Sequence, residues 1–334
     1  MKISELINTY GEKHNPYQGN LVNHLPMGQL AMYKISDSIE KTKEYTEKYV
    51  SSRDINKVSE FYDEVDSLEE TLGNRNQYES ALAILEKDMN HENADYYIKK
   101  VLNEYPLGMS SGLFHVLIRL AYAVEGYEID KDYLPEIKRA VAYYITAYRE
   151  AGIFSRKVDS ESILNEGEKL YSKEYVKEIL SNKSSLGQKM KALYDSNDYM
   201  KDGFIVQGDS DEKIKGALDI SLNAYLNTES IVALHCITGT HALIVLKKYF
   251  EDFNKAVDVL NTCIITHLVA SEIGGYRLSN QEYTPLTWKE IHKTAEEVTD
   301  VHAVKLAYTA YQLNKIYEDK RFPTSAAVRL NLSK

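Results

Sequence analysis

The feature that most constrains this chain is the period of its apolar residues. Stretches such as "GQLAMYKISDSIEKTKEYTEKYV", "SALAILEKDM", "ADYYIKKVLNEY", "LPEIKRAVAYYITAYREAG", "ESIVALHCITGTHALIVLKKYF" and "FNKAVDVLNTCIITHLVAS" repeat their apolar positions at steps of three and four. That spacing places them on one face of a helix. Another long run, "WKEIHKTAEEVTDVHAVKLAYTAYQLNKIYED", reads the same way. Six prolines and sixteen glycines in 334 residues leave few points at which helices must break. Strict alternation is nearly absent, and "DGFIVQG" is the best short strand. These patterns predict an all-α fold: a single compact multi-helix domain over residues 1–334, with no internal repeat or low-complexity linker. The polar segment of about 155–215 is expected to form short helices over the core, as a cap.

Composition narrows the function classes. Forty Lys and Arg against fifty Asp and Glu give a formal charge of −10 with no basic block. Duplex nucleic acid and anionic membrane surfaces are therefore not expected partners. The two cysteines, Cys236 and Cys263, cannot build a disulfide framework or a structural zinc cluster. The first residues lack the apolar stretch of a secretory signal, and no apolar run is long enough to span a bilayer. The expectation is a cytoplasmic protein. The 27 tyrosines fit a pocket for a flat aromatic ligand, and fit equally a Lys/Tyr/Asn-rich coding bias.

Several chemistries lack their motifs. Neither G-x-G-x-x-G nor the P-loop pattern occurs, so a nicotinamide cofactor such as NADPH has no recognisable binding motif. "GMSSG" matches G-x-S-x-G around Ser110, but a helix and turn precede it where a nucleophile elbow needs a strand. It reads as a turn between helices, with Ser110 or Ser111 capping the second. H-E-x-x-H is absent. No histidine follows a Glu by three residues, which disfavours a carboxylate-bridged di-iron bundle.

What remains is histidine on apolar helices. His24 stands in "NHLPM" where Pro26 opens a helix, His115 in "FHVLIRLAYAVEG", His235 in "ALHCITGTHAL" and His302 in "DVHAVKL". One such histidine is ordinarily a hydrogen-bonded core residue; four raise the prospect of one shared metal site. Arg119 and Tyr122 follow His115 at plus four and plus seven, and Thr238 lies one turn beyond His235. Asn23 and Asp300 stand close by His24 and His302. These five, with His292, are candidates for supporting or pocket-lining roles, while His241 and His267 are expected to lie outside the site. Lys305 shares a helix face with His302. It either reaches solvent or points inward. Beside a dication it must be neutral, distant, or converted by CO₂ to a carbamate, which would be an anionic oxygen ligand.

The four segments, in this order over residues 19–308 and with Trp288 ahead of the last, resemble the questin-oxidase-like family. The resemblance implies an all-α fold, an oxygen-using activity on polycyclic phenols or quinones, and a mononuclear non-haem iron, Fe(II), held mainly by histidines. It assigns His24, His115, His235 and His302 as ligands, with O₂ as co-substrate and a small aromatic molecule as the other partner. The expected function is an iron-dependent oxygenase working by oxygen insertion or ring cleavage. The alternatives are a non-enzymatic helical ligand-binding protein and a zinc-dependent hydrolase.

Overall fold

A computed structural model describes residues 1–19, 21–274, 276 and 286–332. The N-terminal third holds α1 (Ile3–Gly11), α2 (Leu25–Ser36), α3 (Ile39–Ser51), α4 (Tyr78–Asp88) and α5 (Ala94–Glu104). The centre holds α6 (His115–Ile129) and α7 (Leu134–Thr146), then the short helices α8 (Ile163–Tyr171), α9 (Glu174–Ser181), α10 (Leu186–Tyr194) and α11 (Asn197–Asp202). The C-terminal third holds α12 (Ser210–Thr228), α13 (Ile231–Val245), α14 (Phe253–Ala270), α15 (Trp288–Ala295), α16 (Val301–Tyr317) and α17 (Arg321–Arg329). The all-α expectation is met.

Strand structure among the described residues is confined to two ribbons. β1 (Tyr17–Gln18) pairs antiparallel with β2 (Leu21–Val22), just ahead of His24. β3 (Arg156–Val158) pairs parallel with β4 (Phe204–Val206), which is the strand read in "DGFIVQG". The helices between β3 and β4 are short, as the polar composition of 155–215 suggested. Of these, α8 packs on α12 and α14 and α10 on α14, while α9 and α11 pack against α10.

Four helices set the position of everything that follows. α2 packs on α6, α6 on α13, α13 on α16, and α16 back on α2, closing a ring. α13 is apolar nearly all round and correspondingly buried along its length. Its Gly239 lets α6 come close: a methyl group there would lie 2.7 Å from Phe114 Cγ, inside contact distance. Side-chain caps mark the helix starts, Ser38 for α3, Ser230 for α13 and Asp300 for α16.

The run from Trp288 to Asp319 is two helices rather than one. Asp300 accepts the His302 backbone N–H at 2.9 Å and starts a new helix after the break at 296–300. No helix among the described residues is long and apolar enough to cross a membrane.

Candidate metal centre

Each helix of the α2–α6–α13–α16 ring contributes one histidine, and the four meet. One ring nitrogen from each of His24, His115, His235 and His302 lies within 4.8 Å of the others. His24 Nε2 is 2.6 Å from His115 Nε2, which is 3.0 Å from His235 Nε2. The ring centroids of His302 lie 4.8 and 5.1 Å from those of His24 and His235. His24, His115 and His235 are buried; His302 is partly open, its side chain 21% exposed.

The other ring nitrogen decides what these contacts mean. His24 Nδ1 lies 2.6 Å from the Val22 carbonyl, and His235 Nδ1 2.6 Å from the Ile231 carbonyl. His115 Nδ1 meets the Gly112 carbonyl. A carbonyl only accepts, so each Nδ1 carries the proton. In a neutral ring the Nε2 is then bare. Burial, and for His24 and His235 the neighbouring His115 ring, holds the basicity of these imidazoles well below the ordinary histidine value. Three unprotonated lone pairs thus point at one another. That arrangement is repulsive until a cation stands between them.

The donors fit a metal ion, and so does the 3.0 Å His115–His235 separation, while the 2.6 Å His24–His115 pair stands closer than two nitrogens on one ion. Imidazole nitrogens bind first-row metals at about 2.0–2.1 Å, so nitrogens sharing one ion lie roughly 3–4 Å apart. Neutral imidazoles suit Zn, Cu, Fe and Ni alike. The Nδ1–carbonyl bonds are the supports that fix tautomer and ring orientation in histidine metal sites.

Local backbone explains how the rings get there. Three of the four histidines sit at the first turn of a helix: His24 is the N-cap of α2, His115 opens α6, and His302 is the second residue of α16. Ahead of His115, Gly112, Leu113 and Phe114 are all left-handed, with φ of 58°, 61° and 64°. Such a conformation costs non-glycine residues about 1–2 kcal/mol each. It turns the Gly112 carbonyl back onto the His115 ring. Gly112 has no alternative: a Cβ there would also meet the Tyr143 hydroxyl at 2.9 Å.

The supporting candidates divide. Asn23 positions the segment carrying His24: its Oδ1 accepts the Leu25 N–H at 3.0 Å, and its Nδ2 donates to the Asn15 carbonyl at 3.1 Å. Asp300 Oδ1 lies 3.6 Å from His302 Nδ1, and its Oδ2 2.6 Å from Arg329 Nη2. Burial opposes the Asp300 charge, but His302 and the Arg329 guanidinium outweigh it and hold the carboxyl far below its ordinary range. Burial also lowers the basicity of the His302 ring.

Arg119 is not at the centre. It pairs with buried Glu136 through Nε at 2.8 Å and Nη2 at 3.2 Å, and Arg139 joins the same carboxylate at 3.4 Å. Thr238 donates to the His235 carbonyl at 3.3 Å, within its own helix. His292 lies on α15, a different helix from His302, and packs against Trp288 of its own helix and Tyr311 of α16. His241 and His267 also lie outside the group. Ser110 and Ser111 do not cap α6. Phe114 takes that position, and the Ser111 hydroxyl instead accepts the Arg149 N–H at 2.8 Å.

Lys305 points inward. It is wholly buried, its Nζ has no hydrogen-bond partner, and burial pulls its pKa down to about 7. It lies close enough to depress the basicity of all four histidines. The histidine group itself contains no carboxylate.

The chain matches no protein-family model and no curated protein sequence. Its functional reading therefore rests on the chemistry of this centre and on the four sequence motifs.

Proposed function

We propose that the chain is a metal-dependent oxygenase that holds one first-row ion, iron first, at His24, His115, His235 and His302, and acts on a polycyclic phenol or quinone. The observation that carries the metal part is the convergence of three proton-free Nε2 atoms in the core. The oxygenase part draws on the resemblance to the questin-oxidase-like family. Bound iron would supply the electrons and open coordination positions that dioxygen chemistry needs.

The chain's own residues set the terms. The carbonyls of Val22, Gly112 and Ile231 hold three rings in the binding tautomer. Asp300 steadies the fourth. The ring of helices buries His24, His115 and His235 and leaves His302 as the side partly open to solvent.

Electrostatics adds a requirement. First turns of helices carry partial positive charge, and Lys305 adds a cation when protonated. A dication in this setting calls for an anion that the histidines do not provide. Two sources fit: a carbamate on Lys305, or the phenolate of a substrate. In the first, the neutral Lys305 amine attacks CO₂, a C–N bond forms, and one amine proton leaves. The single ligand-bearing helix with a buried, unpartnered amine is the place for it.

Anaerobic metal analysis of the untagged protein tests the reading. Close to one ion per chain is expected, with most of it lost in His235→Ala and in His115→Ala. Metal content unchanged in both variants overturns the centre. Oxygen uptake with a panel of anthraquinones and other polycyclic phenols, with ferrous iron present, tests the reaction. Metal without oxygen uptake, but with ester or amide hydrolysis, would make it a zinc-type hydrolase; no metal would leave a ligand-binding protein. After acid treatment and return to neutral pH, activity should depend on bicarbonate. Lys305→Arg should be inactive, since guanidinium stays protonated; wild-type uptake in that variant removes the carbamate.

A further inference from the structure

Among the buried polar atoms without a hydrogen-bond partner, four lie along one seam between α6 and α16. Lys305 Nζ and Thr309 Oγ1 on α16, and the Tyr122 hydroxyl and Glu125 Oε2 on α6, are all buried without a hydrogen bond. Each unsatisfied buried group costs about 1–3 kcal/mol. Tyr122 and Thr309 answer each other in part, while Lys305 Nζ and Glu125 Oε2 find nothing among the described residues. The seam has an order. Lys305 adjoins the histidines, and Thr309 follows it by one turn. The Thr309 hydroxyl faces that of Tyr122. The Tyr122 and Tyr308 rings lie 5.8 Å apart, and Tyr308 donates its hydroxyl proton to Glu125 Oε1. The carboxyl of Glu125, a half-buried residue, is near the exposed Lys34 and Glu128.

We propose that Glu125, Tyr308, Tyr122 and Thr309 form a proton path that carries protons from the histidine centre to solvent. The proposal rests on the metal-centre reading above. The Tyr308–Glu125 hydrogen bond is the outermost link of the path. Tyr308 gives its hydroxyl proton to the Glu125 carboxylate and takes one on its oxygen from the inner side. Tyr122 and Thr309 pass a proton in the same manner, with water filling the gaps that exceed hydrogen-bond reach. Glu125 then releases its proton outward, and one proton has moved with no net change in any residue.

The charge environment suits the exit group. Burial raises the Glu125 carboxyl to about 7, the Tyr308 hydroxyl and Lys34 oppose that rise, and Glu128 adds to it. A relay group works best when its pKa lies near the working pH. His241 meets the Tyr308 ring edge-on at 6.0 Å, and Lys248 pairs with Glu128 at 2.7 Å.

The test uses the full chain loaded with Co(II), whose visible spectrum reports proton equilibria at the centre. After a rapid pH jump the wild type should relax quickly. Glu125→Gln and Tyr308→Phe should bind the same amount of Co(II), reach the same final spectrum, and relax about a hundredfold more slowly. Small diffusible buffers such as imidazole should restore the rate in Glu125→Gln, which a merely structural residue would not show. In the metal-free protein, ¹³C-labelled glutamate should show one carboxyl titrating near neutrality, displaced in Tyr308→Phe. Failure of the wild type to bind Co(II) sinks both this path and the metal reading. Normal Co(II) binding with a spectrum indifferent to pH, unchanged relaxation in both variants, or Glu125 titrating in the ordinary carboxylate range overturns the path alone.

Discussion

Two buried polar clusters grow from the same helix, one turn apart, and they are built on opposite plans. At Arg119 the charges answer one another: one carboxylate, Glu136, stands between two guanidinium groups, and the Arg139 side also reaches the Asn8 side chain at 3.0 Å. At His115 like meets like: acceptor faces acceptor, and the nearest cation, Lys305, has no partner. The first cluster meets its charges with opposite ones within the chain, with Arg119 Nη1 its one buried atom lacking a hydrogen bond, and ties α6 to α7. The second is complete only with a guest. Burial alone does not separate structure from function here. What separates them is whether the buried charges and lone pairs find their opposites within the chain.

This contrast can be broken at several points. The largest effect belongs to the closed cluster. Glu136→Ala leaves two buried guanidinium groups uncompensated and should destabilise the fold by about 3–5 kcal/mol in urea unfolding. A loss below about 1 kcal/mol would show that the trio is hydrated or dispensable. The open cluster should respond to its guest instead. At a hundredfold excess over the dissociation constant, metal should stabilise the wild type by about 2.7 kcal/mol. His235→Ala should lose that gain and His267→Ala should keep it. His267 is the sharper control because its Nδ1 also bonds the carbonyl four residues back, at 2.8 Å, while its ring packs on Phe114. Equal loss in both variants would mean that the shared back-bond, and not the meeting of Nε2 atoms, governs binding.

The pH dependence carries a sign. The buried rings of His24, His115 and His235 are less basic folded than unfolded, where the ordinary value is about 6.5. Above that pH both states are neutral and nothing changes. As pH falls below it, the unfolded chain takes up protons that the folded chain refuses. Metal-free stability should therefore drop on acidification by up to about 1.4 kcal/mol per pH unit for each ring. His235→Phe should flatten that slope; an identical slope would show that the ring is protonated in the fold. Smallest is the turn before α6. Leu113→Gly should change stability by no more than about 1 kcal/mol, because relief of the left-handed strain offsets lost packing. A loss as large as that of an ordinary core leucine would show that the strain is absent.

Much of this was legible in the sequence, and the gaps have physical causes. The helices followed from apolar spacing, because a helix shows its buried face locally. The four histidines stood out for the converse reason: each interrupts an apolar stripe that gains nothing from a polar ring. Arg119 misled, because spacing along α6 puts it on the His115 side while its partner Glu136 comes from α7. Which neighbour claims a side chain is a property of packing. The split between α15 and α16 had a signal in Asp300, a good helix starter, masked by apolar spacing that continues across the break. The left-handed run at 112–114 had only Gly112 to announce it. Nothing in the types of Leu113 and Phe114 suggests positive φ.

The order of the four histidines along the chain has a mechanical consequence. One comes from near the beginning, one from near the end, and the others from between. An ion shared by all four would therefore act as a cross-link that closes nearly the whole polypeptide into linked loops. Loops of that length are the ones whose closure removes most freedom from an unfolded chain. Losing the ion would then do more than empty a site: it would free the N-terminal strap of β1, β2 and α2 to peel from the ring. Protease cutting near β2, slow with metal and fast after chelation, is how that unfastening would be seen.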